Sequence, residues 1–168
     1  MGLVIRRAGP DEWRQARRLR LEMLGDAPEA FSDHLADAET WGDERWRGRL
    51  TSAVWQDSVL VVAVDREGRW HGQMGARQYL HHDPARVWLL EVYVSPGSRS
   101  RGLAEELLSA VEAWARERNH TRLYLDVHEH AAAARRFYTR MGFTETGNSQ
   151  PYANNPAQRE LEMVKKIG

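Results

Sequence analysis

The sequence predicts a single domain, residues 1–168, of the α/β class, with helices on both faces of a mixed sheet. Its length of 168 residues corresponds to one compact domain of roughly 150 residues. Hydrophobic residues make up 42% of the chain, and seven tryptophans supply large apolar side chains for a core. From residue 87 onwards, strand-like and helix-like segments alternate, which is typical of helices packed on a sheet.

The first half of the chain mixes helices and strands. Trp13, Leu19 and Met23 recur at helical spacing, and the helix that contains them is expected to stop near Gly25. Asp65 to Gly68 is a turn signal between two strand-like runs and predicts a hairpin. The predicted elements are a strand at 3–7, a helix at 10–24, a loop or broken helix at 26–39, a helix at 40–52, and hairpin strands at 58–64 and 69–78.

The second half begins with a run of bulky apolar residues, 87–94, that suits a central strand. Ser95-Pro96-Gly97 ends that strand, because proline cannot donate to a sheet ladder. The predicted elements after it are a helix at 102–118, a strand at 122–127, a helix at 131–141, strands at 143–146 and 159–167, and between these two a loop that holds Pro151 and Pro156.

Charge and cysteine content exclude several classes of protein. The 24 basic residues balance the 24 acidic residues, which argues against binding to nucleic acid through phosphate neutralisation. The chain has no cysteine, so it has no disulfides and no cysteine nucleophile, and a reducing cytoplasm is the expected location. The longest apolar run, 59–64, is far shorter than the ~20 residues of a membrane span.

The stretch from residue 94 to residue 104 has the design of an anion site. It runs from a strand end through a glycine-containing turn into a helix that begins with small residues: Val94-Ser95-Pro96-Gly97-Ser98-Arg99-Ser100-Arg101-Gly102-Leu103-Ala104. Consecutive backbone N–H groups at such a turn can converge on a pyrophosphate, and the helix dipole assists them. An ordinary strand-to-helix turn with solvated arginines is the alternative interpretation of this stretch alone.

This stretch resembles the GNAT superfamily of acetyl-CoA-dependent N-acetyltransferases, whose pyrophosphate turn has Arg or Gln, two residues, Gly, one residue, and Gly or Ala. Residues 99–104 match it at every defined position. Two further motifs of that superfamily follow the same order, Val94-Ser95-Pro96 at the strand end and Phe137-Tyr138 followed by Gly142-Phe143. The resemblance covers residues 87–147 well and the first 80 residues only loosely.

The resemblance implies a mostly antiparallel central sheet, acetyl-CoA as co-substrate and no metal. Ala131 stands where many family members have Asn, so the pantetheine arm is expected to pair mainly with the backbone of residues 92–94. The expected cofactor-binding residues are Val92, Tyr93, Val94, Arg99, Ser100, Arg101, Gly102, Leu103 and Ala104.

Two residues are the candidates for proton transfer. Glu91 lies in the predicted cofactor strand on the same face as Tyr93, where a carboxylate borders a wet cleft as a base or pairs with an arginine. Tyr138 is the residue that the resemblance implies as the acid that protonates the coenzyme thiolate. Asp126 and His128 are reserve bases, because they end the strand expected across the cleft.

The expected function is transfer of acetyl from acetyl-CoA to a primary amine by direct attack in a ternary complex. The alternatives are a non-catalytic acyl-CoA-binding or regulatory module and a transferase with another acyl-CoA donor. The acceptor stays open among small metabolites, antibiotic amines and protein N-termini, and so does oligomeric state, a homodimer included. The histidine clusters at 81–82 and 128–130 are expected to be solvated rather than metal-binding, because no third ligand has diagnostic spacing.

Overall fold

The computed structural model describes residues 2–168, which form one seven-stranded sheet with five helices. The helices are α1 (Trp13–Asp26), α2 (Leu35–Ala38), α3 (Asp43–Ala53), α4 (Leu103–Glu117) and α5 (Ala132–Arg140). The strands are β1 (Val4–Arg7), β2 (Ser58–Val64), β3 (Trp70–Tyr79), β4 (Arg86–Val94), β5 (Arg122–His128), β6 (Thr144–Tyr152) and β7 (Asn155–Lys166).

The strand order is β1-β2-β3-β4-β5-β7-β6, and every neighbouring pair is antiparallel except β4 and β5. These two parallel strands are paired only through Val87 with Leu123 and Trp88 with Tyr124. Beyond those residues β4 and β5 diverge. An opening therefore lies in the middle of the sheet, at the carboxyl ends of both strands.

The sheet buries a separate core on each face. On one face α4 contributes Leu107, Val111 and Trp114, and its buried stripe follows the helical spacing of its leucines and tryptophan. On the other face α1 contributes Leu19 and Met23, joined by residues of α3. The predicted mixed sheet with helices on both faces is confirmed, as is its mostly antiparallel character.

The segment after α1 is a broken helix, as the sequence indicated. It consists of a short 3₁₀ turn, Pro28–Ala30, followed by the single helical turn of α2. Gly25 does not end α1, because the helix continues to Asp26. No helix within residues 2–168 has the length and apolar character needed to cross a bilayer.

The predicted loop between the last two strands is wrong. Strands β6 and β7 form a long antiparallel hairpin in which Tyr152 pairs with Asn155. Pro151 is tolerated because β6 is the edge strand of the sheet, and Pro156 stands next to the first residue of β7. Almost every residue of β6 is exposed, so this strand lacks the apolar alternation that marks half-buried strands.

Candidate active site

Strand β4 carries a bulge at the point where it leaves β5. Gly75 of β3 pairs with Leu90 and Gln73 pairs with Tyr93, so β4 has an extra residue between these pairs. Glu91 absorbs the extra residue with a φ of 53°, in the left-handed region that side chains seldom adopt.

The bulge determines which way the Glu91 side chain points. Val87 and Leu89 face the α4 core, and strict alternation would send residue 91 to the same side. Instead Glu91 contacts α1 and α3, and Tyr93 belongs to the core on that side. Glu91 and Tyr93 therefore lie on the same face of the sheet, as the sequence predicted. The bulge at Glu91, rather than regular alternation along β4, places them there.

The turn between β4 and α4 presents backbone N–H groups at the end of the opening. Residues 96–98 form a 3₁₀ turn, Ser100 has a φ of 61°, and Gly102 caps α4 with a φ of 74°. The first backbone donor into α4 is Glu106, which donates to the Gly102 carbonyl at 3.1 Å. The amides of the first helical turn have no acceptor inside the helix, so they can face an anion.

Arg99 anchors this turn to the rest of the molecule. Its Nε donates to the Val94 carbonyl at 2.9 Å, and its guanidinium pairs with Asp26 at the end of α1. Ser98 is buried beneath the turn, where its hydroxyl lies 3.4 Å from His71 Nδ1. Side-chain contacts thus hold the turn in place between β4 and α4.

The Glu91 carboxylate is part of an ion-pair cluster. It forms a close ion pair with Arg49 of α3, and Arg20 Nη1 of α1 lies 3.8 Å from its Oε1. Gln73 Nε2 donates to Glu91 Oε2 at 3.3 Å. Glu91 therefore borders a recess and is paired with arginine, and its role as a base stays a prediction.

Asp33 completes the cluster behind Glu91. It accepts a hydrogen bond from Arg20 Nη2 at 2.8 Å and lies 3.3 Å from Arg49 Nη1. The Arg20 side chain is only 6% exposed, and its guanidinium lies 4.9 Å from the Phe31 ring centroid. Burial is the main cause that lowers the pKa of Arg20, and the charge of Glu91 opposes it.

The cluster lines a narrow recess whose water-accessible volume is about 20 Å³. Arginines, Glu91 and Gln73 line the recess together with apolar side chains from α1, α3 and β2. Its lining residues are Ala16, Arg20, Trp46, Arg49, Leu50, Ala53, Leu60, Gln73 and Glu91. Trp46 lines this recess and is also part of the buried core.

Tyr138 lies on the opposite face of the sheet from Glu91. It is buried in the α4 core between the rings of Phe137 and Phe143, at centroid distances of 5.4 and 5.7 Å. Burial raises the pKa of its phenol well above the usual value, so the hydroxyl keeps its proton at neutral pH. The two proposed proton carriers thus lie on different faces of the sheet.

An acidic cluster lies across the opening from Glu91, on the same face. Asp126 pairs in register with Glu162 of β7, and His128, two residues later in β5, pairs with Glu160. Burial of its carboxyl, together with the charge of Glu160, raises the pKa of Asp126 to about 6. Trp88 Nε1 donates to Asp126 Oδ2 at 3.1 Å.

His128 has both ring nitrogens engaged. The backbone N–H of His130 donates to Nδ1 at 3.1 Å, so Nε2 carries the proton and donates to Gln158 Oε1 at 2.8 Å. A neutral imidazole in this arrangement has no free lone pair for a substrate proton. Residues 2–168 contain no group of three or more His, Asp or Glu side chains arranged to hold a metal ion.

The sequence did not single out Arg20, Arg49, Asp33 or Gln73. Their ion pairs span 13 to 71 residues of sequence, so periodicity does not indicate them. One signal was available, because Arg20 occupies the apolar face of α1 together with Ala16, Leu19 and Met23. A charge in a buried helical stripe is a reason to look for a partner or a ligand.

The sequence matches the Acetyltransferase (GNAT) family over residues 18–143. A GNAT acetyltransferase of Streptococcus pneumoniae is 20% identical with a TM-score of 0.79, over 99% of this chain and all of that one. An acetyltransferase of Salmonella typhimurium, solved with acetyl-CoA, is 18% identical with a TM-score of 0.77, over 100% of this chain and 95% of that one. The PaiA N-acetyltransferase of Thermoplasma acidophilum, solved with coenzyme A, is 17% identical with a TM-score of 0.73, over 99% of each chain.

The structural neighbours share the fold, and the family match covers most of the chain. That match begins within α1 and ends at Phe143, so it includes both strands of the central opening and the turn that follows β4. The chain therefore belongs to the GNAT family of acetyltransferases.

Proposed function

We propose that the protein transfers the acetyl group of acetyl-CoA to a primary amine, by direct attack of the amine on the thioester. The observation that carries this proposal is the opening between β4 and β5, which ends at the turn before α4. An extended donor fits the unpaired edge of β4, and its pyrophosphate fits the amides of the turn.

The donor's binding groups are mostly backbone. The pantetheine arm pairs with residues 92–94, and the pyrophosphate accepts hydrogen bonds from amides of residues 99–104. The space next to Gly102 is free for the phosphates, because a Cβ added there meets no protein atom within 4 Å, and its φ of 74° favours glycine. Ala131 has no polar side chain for the donor, so this backbone pairing is its main support.

Glu91 is the base. A primary ammonium loses a proton to the Glu91 carboxylate, directly or through one water, and the neutral amine then attacks the thioester carbon. The N–C bond forms as the carbonyl oxygen becomes an oxyanion, which accepts hydrogen bonds from backbone N–H groups near Val92 and Tyr93. The proton on Glu91 returns to solvent.

Tyr138 completes the reaction. When the tetrahedral intermediate collapses, the C–S bond breaks and the thiolate takes the phenolic proton of Tyr138. The new amide nitrogen releases its extra proton, which restores the phenol. No bond forms between the acetyl group and the protein.

Calorimetry tests the donor site. The Gly102→Val variant crowds the phosphates and strains the turn, so its acetyl-CoA affinity should fall at least about tenfold, or about 1.4 kcal/mol. Gly97→Ala is the matched control, because its Cβ also meets no atom within 4 Å and its φ lies outside the positive range. Unchanged affinity in folded Gly102→Val would contradict the assignment.

A turnover assay distinguishes an acetyltransferase from a non-catalytic acyl-CoA-binding module and from a transferase with another acyl donor. Thiol release is measured with acetyl-CoA, propionyl-CoA and a panel of primary amines, and mass spectrometry identifies the acylated product. The proposal expects amine-dependent release that is fastest with acetyl-CoA. Tight acetyl-CoA binding without transfer to any amine would favour the non-catalytic module, and preference for propionyl-CoA would favour another acyl donor.

A further inference from the structure

Arg20 is a buried charge whose hydrogen-bonding capacity is only partly used. Its side chain is 6% exposed, and Nη2 donates to Asp33 Oδ2 at 2.8 Å. Nε and Nη1 are buried and donate to no acceptor within residues 2–168. Leaving buried donors unsatisfied is costly, and more so for a charged group.

The unused donors belong to a residue that lines the recess beside Glu91. A guanidinium presents its N–H groups in a planar fork that matches the two oxygens of a carboxylate. Arg49 lines the same recess, so a second guanidinium group borders the space next to these donors. Helices α1 and α3, which carry these two residues, contain seven arginines and four acidic residues.

The charges around the recess also restrict the ligand. Two arginines, Arg20 and Arg49, face two carboxylates, Asp33 and Glu91, so the cluster is formally neutral. A ligand that carries only cations or only anions leaves this cluster, which includes the buried Arg20, with an excess charge. A ligand that carries one ammonium and one carboxylate preserves the balance.

We propose that Arg20 and Arg49 bind the carboxylate of the acceptor, and that the acceptor is an α-amino acid. This inference rests on the proposed function, because it places the acceptor's amine at Glu91. Arg20 Nη1 lies 3.8 Å from Glu91 Oε1, so the carboxylate and the amine must be close together. In an α-amino acid both groups are bonded to one carbon, by bonds of about 1.5 Å.

Binding the carboxylate also changes the partners of Glu91. In the structure Arg49 pairs with Glu91, so this ion pair must open before Glu91 can take a proton from an acceptor. The Arg20 side chain is only 6% exposed, whereas the Arg49 side chain is 31% exposed, so Arg49 is the one with room to turn towards a ligand. When Arg49 turns to the acceptor's carboxylate, Glu91 is released to take a proton from the acceptor's ammonium.

The first test uses the unmodified protein and its substrates. With acetyl-CoA saturating, kcat/KM is measured for the twenty common α-amino acids, and for the amide and the decarboxylated amine of each. For the best amino acid we expect kcat/KM about 10- to 100-fold above that of its amide, because a charged hydrogen-bonded pair is lost. The loss should appear mainly in KM.

The second test uses variants. Arg49→Gln and Arg20→Gln should each reduce the ratio of kcat/KM for the amino acid to that for its amide by about tenfold or more, with acetyl-CoA affinity unchanged. Arg14→Gln is the matched control, since it removes an exposed arginine of α1 that does not line the recess, and its ratio should equal the parent value. Should Arg20→Gln fail to fold, Arg49→Gln and the substrate comparison still decide the question.

Three results would overturn the inference. They are equal activity on amino acids and their amides, preference for polyamines, and acetyl-CoA binding without acetylation of any amino acid. If other amines are acetylated in these cases, the proposed function stands and only the acceptor is wrong. If acetyl-CoA does not bind, both proposals fail.

Discussion

The two sides of the central opening, on the same face of the sheet, differ in how their charges are compensated. On the α1 and α3 side, the arginines at the recess are paired with carboxylates, and Arg20 is buried. On the β5 and β7 side, Asp126, Glu160 and Glu162 form an acidic cluster that hydrogen-bonds neutral groups such as Trp88 and Gln150. We call these the basic side and the acidic side.

The difference concerns how each side acts on a ligand. Salt screens exposed charges over about 8–10 Å, whereas buried pairs are screened much less. The basic side is therefore suited to holding a ligand in a fixed orientation. The acidic side is suited to attracting the ammonium end of a ligand, with an effect that weakens as ionic strength rises.

The largest expected effect is on the base. Glu91→Gln should lower kcat/KM by about 10²- to 10⁴-fold at pH 7. The loss should shrink as pH rises, because an ammonium with a pKa near ~10 then supplies free amine by itself. Asp126→Asn makes the same chemical change on the acidic side and should cost only a few-fold.

The pH profiles of kcat/KM for the parent and both variants distinguish the two sides. If the base were on the acidic side, the parent profile would bend near the Asp126 pKa of about 6, and Asp126→Asn would remove the bend. A Glu91→Gln loss that is the same at every pH would also contradict the assignment. Circular dichroism of each variant controls for folding.

The second effect concerns Tyr138, which lies outside both sides. Tyr138→Phe removes the donor to the thiolate after attack, so kcat should fall by about 10²-fold at low and high pH alike. Acetyl-CoA affinity by calorimetry should stay at the parent value, because the ring still packs against Phe137 and Phe143.

Tyr152→Phe is the control for that variant. It removes a phenol that donates to the Glu29 carbonyl at 2.8 Å, so it should affect stability rather than turnover. Full activity of Tyr138→Phe would mean that water or the acceptor's own ammonium protonates the thiolate.

The smallest effect is on stability. The folded protein raises the pKa of Asp126 to about 6, so this residue binds its proton more tightly when folded than when unfolded. Its contribution therefore favours folding at acidic pH and is lost as pH rises through about 6. Asp126→Asn, which is neutral at every pH, should raise the thermal midpoint by no more than about 3 °C at pH 7.5.

The difference between Asp126→Asn and parent should disappear near pH 4, where both side chains are uncharged. Thermal unfolding followed by circular dichroism at pH 4 to 8 measures it. A midpoint that falls in Asp126→Asn at pH 7.5 would show instead that the charged carboxylate stabilises the acidic side.

The fold was largely predictable because its apolar patterns are local. The boundaries of β2, residues 58–64, were predicted as the structure has them, since all its side chains are buried and a turn follows. The β6–β7 hairpin was not predicted, because its exposed edge strand is held by backbone pairing. The prolines in this segment indicated a loop instead. The residue types of an exposed edge strand do not indicate that its backbone pairs with a neighbouring strand.

The site was predictable only where a short motif carries it. The turn at 99–104 and Glu91 follow from adjacent residues, whereas Arg49 reaches Glu91 from 42 residues away. The bulge at Glu91 was also missed, because an extra residue in β4 is defined only by its register with β3. Long-range ion pairs and registers depend on the assembled sheet.

The sparse pairing between β4 and β5 affects how firmly the two parts of the sheet are connected. Strands β1–β4 form one part of the sheet, and β5, β7 and β6 form the other. Within the sheet, the two parts are joined only by the pairing of Val87 with Leu123 and of Trp88 with Tyr124. A donor bound in the opening between β4 and β5 bridges the two parts of the sheet, because it contacts both where no backbone hydrogen bonds connect them. At 100 times its Kd, such a ligand adds about 2.7 kcal/mol to the free energy of unfolding. A bound donor therefore adds to the connection that the α4 core already makes between the two parts of the sheet.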